Sequence, residues 1–376
     1  MSTYVDIHII QNLPPSCVNR DDTGTPKTAI YGGVRRLRVS SQSWKHATRK
    51  YFADHLAASE VGVRTKRVVE LLAREIAKLA PEFAEESITL AESLFKDGAK
   101  IKIAPPRNKE GAPQESTYLL FLSNSQLRRL AEITIQAKRN DEKFDSKTIK
   151  KILKEDHAVD IALFGRMVAD DTDLNVDAAC QVAHAISTHA SENEFDFFTA
   201  VDDEKSRAAD EDAGAGMLGT IEFSSATIYR YATINVDLLR ENLGTNDATL
   251  KAIDQFIRGF SISMPTGKSN SFANHTLPEA ICVSVRDDQP LSFVGAFEKA
   301  IPSNPDLGYL DRSVERLASH ARNIETAYGT GALGNFVVSI SDSQAVDSLG
   351  TKVSFSELPT RVKETVTSRL PIEELD

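Results

Sequence analysis

Apolar and polar residues alternate over 4–11 (YVDIHIIQ), with Val5, Ile7 and Ile9 on one side, which predicts an opening strand. Residues 12–39 carry Pro14, Pro15, Gly24, Pro26, Gly32 and Gly33 and read as a long loop that ends in a short strand, RRLRV. Ser40 or Ser41 can cap a helix running to about residue 58, with an apolar stripe of Trp44, Ala47, Tyr51 and, at its flank, Leu56. Residues 60–157 differ in kind: they are rich in Lys, Glu, Ala and Leu, with helical periods at 64–80 and 125–138 and a polar loop at 104–116. Segments 195–201 (FDFFTAV) and 217–223 (MLGTIEF) predict strands flanking an acidic, Gly-rich stretch, hence a projecting hairpin. A strand at 226–236, a helix at 246–259 and a strand at 280–286 follow, while 178–190 is mixed.

The order strand, helix, strands, helix, strand suits an α+β fold with a split βαβ, or ferredoxin-like, core interrupted by a helical insertion. At 376 residues the chain has room for two or three domains, or for one core with large insertions. No run of about 18 apolar residues occurs, so no membrane-spanning helix is expected. The N-terminus reads as a strand rather than a signal peptide. Cys17, Cys180 and Cys282 are far apart and form no CxxC pair, which fits a reducing, cytoplasmic compartment and neither a disulfide framework nor a thiolate zinc site.

The net charge of −10 taken alone argues against a nucleic-acid partner, but its distribution changes that picture. Residues 1–50 hold eight Lys/Arg against three acids, and residues 136–154 hold seven against three. Residues 192–212 reverse the sign, with nine acids against two bases. A polyanion responds to the local field rather than the total. Each run can equally be a solvated surface.

Two motifs fail on context. Gly329, Gly331 and Gly334 spell GxGxxG, but a predicted helix precedes them and a strand follows, the reverse of a dinucleotide site. PTGKS at 265–269 lacks the earlier glycine of a phosphate loop, because position 262 is Ile. A backbone approach to another phosphate at Gly267–Lys268 stays open. The acid pairs Asp21–Asp22, Asp170–Asp171 and Asp202–Asp203 can join a two-metal site or simply cap turns, and no Ser or Cys nucleophile can be tied to a base.

The N-terminal block is richer. A loop with Arg20 and Lys27 leads to Ser40–Ser41–Gln42 at a helix start, where backbone N–H groups suit an anion. Lys45 and Arg49, spaced i, i+4, share one face of that helix. Together these make a cradle for several phosphates that reads backbone and not sequence. The alternative is an ordinary amphipathic helix. Lys143, Lys147, Lys150, Lys151 and Lys154 fall mostly along one side of a predicted helix, either as a solvated face or as a polyanion track.

The text PPSCVNRDD (14–22) followed by IYGGVRRLRVSSQSWK (30–45) resembles the CasC family, the backbone subunits of type I-E CRISPR Cascade. The resemblance continues through DIALFGRM (160–167), AHAISTH (183–189), DFFTAVDD (196–203), LGTIEFSSATIYRYATIN (218–235) and LSFVGAFEKA (291–300), in order along the chain, and is weak over 60–155 and beyond 300. It implies a hand-like, non-catalytic subunit: a palm with a modified RNA-recognition fold from 1–59 and 181–376, helical fingers over 60–180, and a thumb hairpin at 195–222. It further implies head-to-tail multimers along CRISPR RNA beside other Cascade subunits, presenting the guide to target DNA in antiviral defence, with no cofactor, metal or membrane. A metal-dependent ribonuclease on the same fold, using Asp21 or Asp22, is the alternative.

Carried over residue by residue, the resemblance assigns guide phosphates to Arg20, Lys27, Ser40, Gln42, Lys45 and Arg49. It assigns a finger loop to Gly165, Arg166 and Met167, with Met167 as an apolar wedge, and the thumb base to Phe198 and Thr199. It further implies that Lys268 meets the RNA backbone and that Lys138, Arg139, Lys143, Lys147 and Lys150 track DNA. Val34 departs from the family, which commonly has a base nearby. The acidic tip 202–212 is expected to face a basic neighbour or solvent, outside the RNA site.

Overall fold

The computed structural model describes residues 2–107, 111–168, 171–200 and 217–372. In chain order the elements are β1 (Tyr4–Ser16), β2 (Thr28–Tyr31), β3 (Val34–Val39), α1 (Ser41–His55), β4 (Gly62–Thr65), α2 (Val68–Leu79), α3 (Ser87–Ser93), β5 (Ile103–Ala104), β6 (Glu115–Ser116), β7 (Leu120–Ser123), α4 (Asn124–Asn140), α5 (Ser146–Lys154) and α6 (Val159–Phe164). They continue with β8 (Cys180–Val182), β9 (Ala185–Ser187), β10 (Glu194–Ala200), β11 (Met217–Asn235), α7 (Val236–Leu243), α8 (Asn246–Ile262), α9 (Ser269–Phe272), β12 (Pro278–Arg286), α10 (Leu310–Tyr328), β13 (Gly334–Ser339), β14 (Thr351–Lys352) and α11 (Leu358–Thr367). The chain is thus a mixed α+β protein with one large sheet. It divides into two compact units: Met1–Thr48, Val182–Thr233 and Phe256–Arg369 form the first, and Arg49–Gln181, Ile234–Gln255 and Leu370–Asp376 the second.

The first unit is built on the sheet β14-β13-β12-β1-β11-β9-β3-β2. The alternation in β1 puts Val5, Ile7 and Ile9 in the core, yet Asp6 and His8 on the other side are also fully buried. β1 is therefore a central strand covered on both faces. On one face His8 stacks on Phe293, with centroids 4.3 Å apart, and its Nδ1 lies 2.9 Å from the Tyr229 hydroxyl. Tyr231 donates to Asp6 at 3.0 Å, and Arg286 pairs with Asp6 at 3.4 Å, all inside the core. On the other face the Arg230 guanidinium lies between Trp44, 3.7 Å from its centroid, and Phe260, 4.5 Å away. It donates to Gln11 Oε1 at 2.6 Å and to the carbonyls of Phe260 and Ser261. Those carbonyls lie in the last turn of α8, so Arg230 satisfies acceptors that the helix end leaves open.

β3 takes the place of the strand expected at RRLRV, whereas β2, which pairs with it as a hairpin, falls within the expected loop. The hairpin's Gly32–Gly33 turn has φ of +59° and +78°, and a Cβ on Gly32 would sit 1.7 Å from the Glu298 carbonyl. Only glycine permits both the turn and that approach. Arg36, buried in β3, donates to the carbonyls of Ser187 at 3.0 Å, Phe297 at 2.8 Å and Glu298 at 3.1 Å. One of the three arginines of RRLRV is therefore a clamp inside the fold rather than a surface charge.

The predicted strands 217–223 and 226–236 are one continuous strand, β11, whose first residues pair antiparallel with β10 from Glu194↔Phe223 to Ala200↔Met217. The hairpin arms are thus formed, and the acidic tip 202–212 lies outside the described residues.

The second unit has a helical core in which Leu72 and Ile76 of α2, Leu127 and Leu130 of α4, and Ile149 and Ile152 of α5 are buried together with Leu94 and Phe95. The single helix expected over 136–154 is two helices. Asp141 takes the left-handed conformation, with φ of 54°, and ends α4. The Asp145 carboxylate accepts from Lys147 N at 3.0 Å and Thr148 Oγ1 at 2.6 Å and starts α5. The lysines of this segment therefore do not share one straight helical face.

Candidate nucleic-acid interface

In the first unit the basic loop and the helix start meet at Asn19. Its side-chain oxygen accepts the Ser40 N–H at 2.8 Å, and its carbonyl accepts the Lys27 N–H at 3.0 Å. Arg20 bridges Pro26 across the same loop. Asp21 closes the tip: its Oδ1 accepts from Thr23 N at 3.0 Å, Thr23 Oγ1 at 2.7 Å and Thr25 N at 3.0 Å. These bonds, the Thr23 hydroxyl first, hold the Asp21 carboxyl below its ordinary value. Asp21 is thus a loop cap, an Asx-type turn.

Ser40 is buried and caps α1 itself, its Oγ accepting from Ser43 N at 3.3 Å. The N–H groups of Ser41 and Gln42 begin the helix, where no intrahelical acceptor exists. Gln42 is exposed and Lys45 half-exposed on the same first turns.

Lys268 reaches this neighbourhood through Gly267. A Cβ there would lie 2.4 Å from the Val18 carbonyl and 2.7 Å from that of Cys17, so the 265–269 turn lies against the chain just before Arg20. The Cys17 thiol is raised by burial and is lowered in part by the charges of both Arg20 and Lys268, which share its surroundings. Arg20, Lys27, the α1 start and Lys268 therefore gather around one loop. Sequence reading missed Asn19, whose only signal was its place before Arg20 in CVNRDD.

Thr25 donates to Glu222 at 3.2 Å, and Asn193 donates to the other Glu222 oxygen at 3.1 Å, tying the loop to the base of the β10–β11 hairpin. On β10, Phe195 and Phe197 are 68% and 64% exposed, while Phe198 lies over Gly219, where a Cβ would meet its ring at 2.4 Å. Thr199 is exposed beside it.

Arg49 is assigned to the second unit. Its guanidinium stacks on Phe121, 5.5 Å from the centroid, and burial, offset by the nearby Asp160 carboxylate, lowers its pKa. Arg166 departs furthest from its expected role. It is buried and donates to Leu174 O at 2.7 Å, Phe121 O at 3.2 Å and Leu153 O at 2.6 Å. A guanidinium spent on three carbonyls is a scaffold for the loop, not a surface cation. Gly165, at φ of +77°, is confined by the Val176 carbonyl, and Val168 N donates to Asn175 at 2.6 Å. Between these fixed residues Met167 projects, 81% exposed.

Of the five bases expected to track DNA, three are paired with acids. Lys138 meets Glu86 at 2.8 Å, Arg139 meets Glu82 at 2.5 Å, and Lys150 meets Asp171 at 3.3 Å. Lys143 and Lys147 are exposed. Among the described residues no group of three or more His, Cys, Asp or Glu could hold a metal ion, and no helix is long and apolar enough to cross a membrane.

Comparison with curated proteins found no match. Among solved structures, a chain of a "CRISPR RNA-guided surveillance complex, pre-nicking" is 33% identical, with a TM-score of 0.85 over 98% of this chain and 100% of that one. A chain of a second "CRISPR RNA-guided surveillance complex" is 28% identical, with a TM-score of 0.76 over 96% and 99%. The family model described as CT1975-like protein matches residues 5–364. The chain belongs to that CT1975-like family, as the CasC-like motifs spread along its sequence had indicated.

Proposed function

We propose that this chain is a non-catalytic subunit of a CRISPR surveillance complex of type I-E, polymerising head to tail along CRISPR RNA and holding the guide by its backbone for pairing with target DNA. The observation that carries this reading is the end-to-end likeness to a chain of an RNA-guided surveillance complex at 33% identity. The loop at Asn19 supports it, because a convergence of Arg20, Lys27, Lys268 and a helix start suits a phosphate chain and offers no base-edge readout. Sequence specificity is then left to the guide, the division of labour of RNA-guided recognition.

In this reading 1–59 and 181–376 are the palm, 60–180 the fingers and 195–222 the thumb. The strand order β12-β1-β11-β9 supports a ferredoxin-like palm, since that fold places its first strand between the fourth and third. Met167 and Phe198 act as apolar contacts to the guide. Lys143 and Lys147 keep a DNA role in the fingers, with Lys138, Arg139 and Lys150 weaker contributors because acids partly neutralise them. The compartment is the cytoplasm. Asp21 serves the loop and not a ribonuclease centre, since its Oδ1 accepts three hydrogen bonds within the loop.

The test is assembly. Purified chain mixed with guide RNA should elute as long complexes on size-exclusion chromatography with raised 260 nm absorbance, and leave the RNA intact in magnesium. Phe195→Ser with Phe197→Ser, two exposed positions, should stay folded by circular dichroism yet fail to form long complexes. Wild-type chain that ignores RNA, or that cleaves it, would overturn the reading.

A further inference from the structure

Beside the phosphate-binding loop lies a histidine that the cradle does not use. Arg38 and Lys27 are cross-strand neighbours, joined by the Arg38 N–H donating to the Lys27 carbonyl at 2.9 Å. The Arg38 Nε donates to the Thr28 carbonyl at 3.2 Å, which fixes the guanidinium along β2. Its Nη1 then lies 3.0 Å from Nδ1 of His184, an exposed residue just before β9. β3 and β9 pair there, with Arg38 opposite Ile186, so the backbone sets the spacing of the two side chains.

An arginine can only donate. Nδ1 of His184 must therefore be the acceptor, which leaves the ring neutral with its proton on Nε2. The electrostatics agree: partial burial, then Arg38, then Lys27, all lower the pKa of His184. The result is an oriented, uncharged N–H donor at the edge of a cationic floor.

We infer that His184 Nε2–H donates to a ribose 2′-hydroxyl oxygen of the bound strand and so makes this face prefer RNA to DNA. The inference rests on the proposed function, because it needs a nucleic-acid backbone over this face. The neighbouring cations already suit phosphate. A neutral donor adds little for a charged oxygen beside Lys27 and Arg38, but it suits the neutral oxygen that distinguishes the two sugars.

The test is fluorescence anisotropy of the full chain with single-stranded RNA and DNA of one sequence, each short enough for one copy. Wild type should prefer RNA. His184→Phe, which removes the donor at an exposed position, should lose about three- to tenfold on RNA and keep its DNA affinity, the range expected for one hydrogen bond. His184→Gln offers Arg38 an oxygen and the ligand an amide N–H, and should restore most of the preference. Equal losses on RNA and DNA would overturn the 2′-hydroxyl assignment in favour of a phosphate contact. Unchanged RNA binding by His184→Phe would remove His184 from the site while leaving the functional reading intact. Wild type that binds neither strand would refute the functional reading and this inference with it.

Discussion

Asn19 and Ser40 are tied side chain to main chain, the Asn19 Oδ1 accepting the Ser40 N–H at 2.8 Å. The Asn19 carbonyl holds Lys27 N as well, so one uncharged residue sets the distance between the basic loop and the start of α1.

Asn19→Ala should therefore weaken RNA binding although no charge is lost. The lost hydrogen bond costs about 1 kcal/mol of stability. The salt dependence of the remaining binding should keep its wild-type slope, because the cations are still present. Titrations at several salt concentrations check this, and wild-type affinity would show that the loop needs no such tie.

Lys27→Ala with Lys45→Ala should weaken binding to all RNA sequences alike. Each lost phosphate contact flattens the log–log salt slope by roughly 0.7 on a single strand, so two contacts give about 1.4. A loss confined to one sequence would point to base readout instead.

Arg166 and Met167 are adjacent but should behave oppositely. Arg166→Ala removes three hydrogen bonds donated to buried carbonyls, of which Leu153 O keeps the Gln126 amide at 3.2 Å, and should cost about 3 kcal/mol in urea unfolding. Arg166→Lys should rescue little, since one ammonium cannot reach along a fork to three acceptors. Met167→Ala should leave stability within about 0.5 kcal/mol. A stable Arg166→Ala variant would contradict the scaffold role.

The core of the first unit holds two groups with opposing pH effects. Burial, then Arg286, lowers His8 from 6.5 to about 3. Below pH 6.5 the unfolded chain binds a proton that folded His8 refuses, so this group removes stability as pH falls. Burial raises Asp6 from 3.8 to about 6. Between those values the folded carboxyl keeps a proton that the unfolded one has released, so this group adds stability as pH falls from 6 toward 3.8. His8→Phe keeps a ring against Phe293 and deletes only the first effect. Its stability relative to wild type should rise between pH 7 and pH 4.5, measured by urea unfolding at both; a difference independent of pH would refute the assignment.

Much of the fold is legible in the sequence because its signals are local. The alternation of 4–11, the Ser-initiated helix with Trp44 inward, and the strand pair around the acidic stretch all rest on neighbours within a few residues. Most of the misses are non-local. β2 has four residues, and its Gly32 turn is explained by the Glu298 carbonyl, far away in the chain. Arg36 and Arg166 look like surface charges in any charge count, but each spends its donors on distant carbonyls. In the candidate site the cations could be read from composition, whereas Asn19, an uncharged joint between two segments, could not. The break at Asp141–Asp145 has a local signal, two capping acids, that the run of lysines obscured.

β11 joins the hairpin arm to the sheet without interruption: its first residues pair with β10 and its later ones with β9. At roughly 3.3 Å per residue, such a strand is about 60 Å long. A pull on the hairpin along that strand therefore loads the inter-strand bonds in shear, many at once, instead of peeling them one by one. With no loop between arm and sheet to stretch first, tension from a neighbour gripping the hairpin would pass directly into the core beside β1, making the strand a stiff tether.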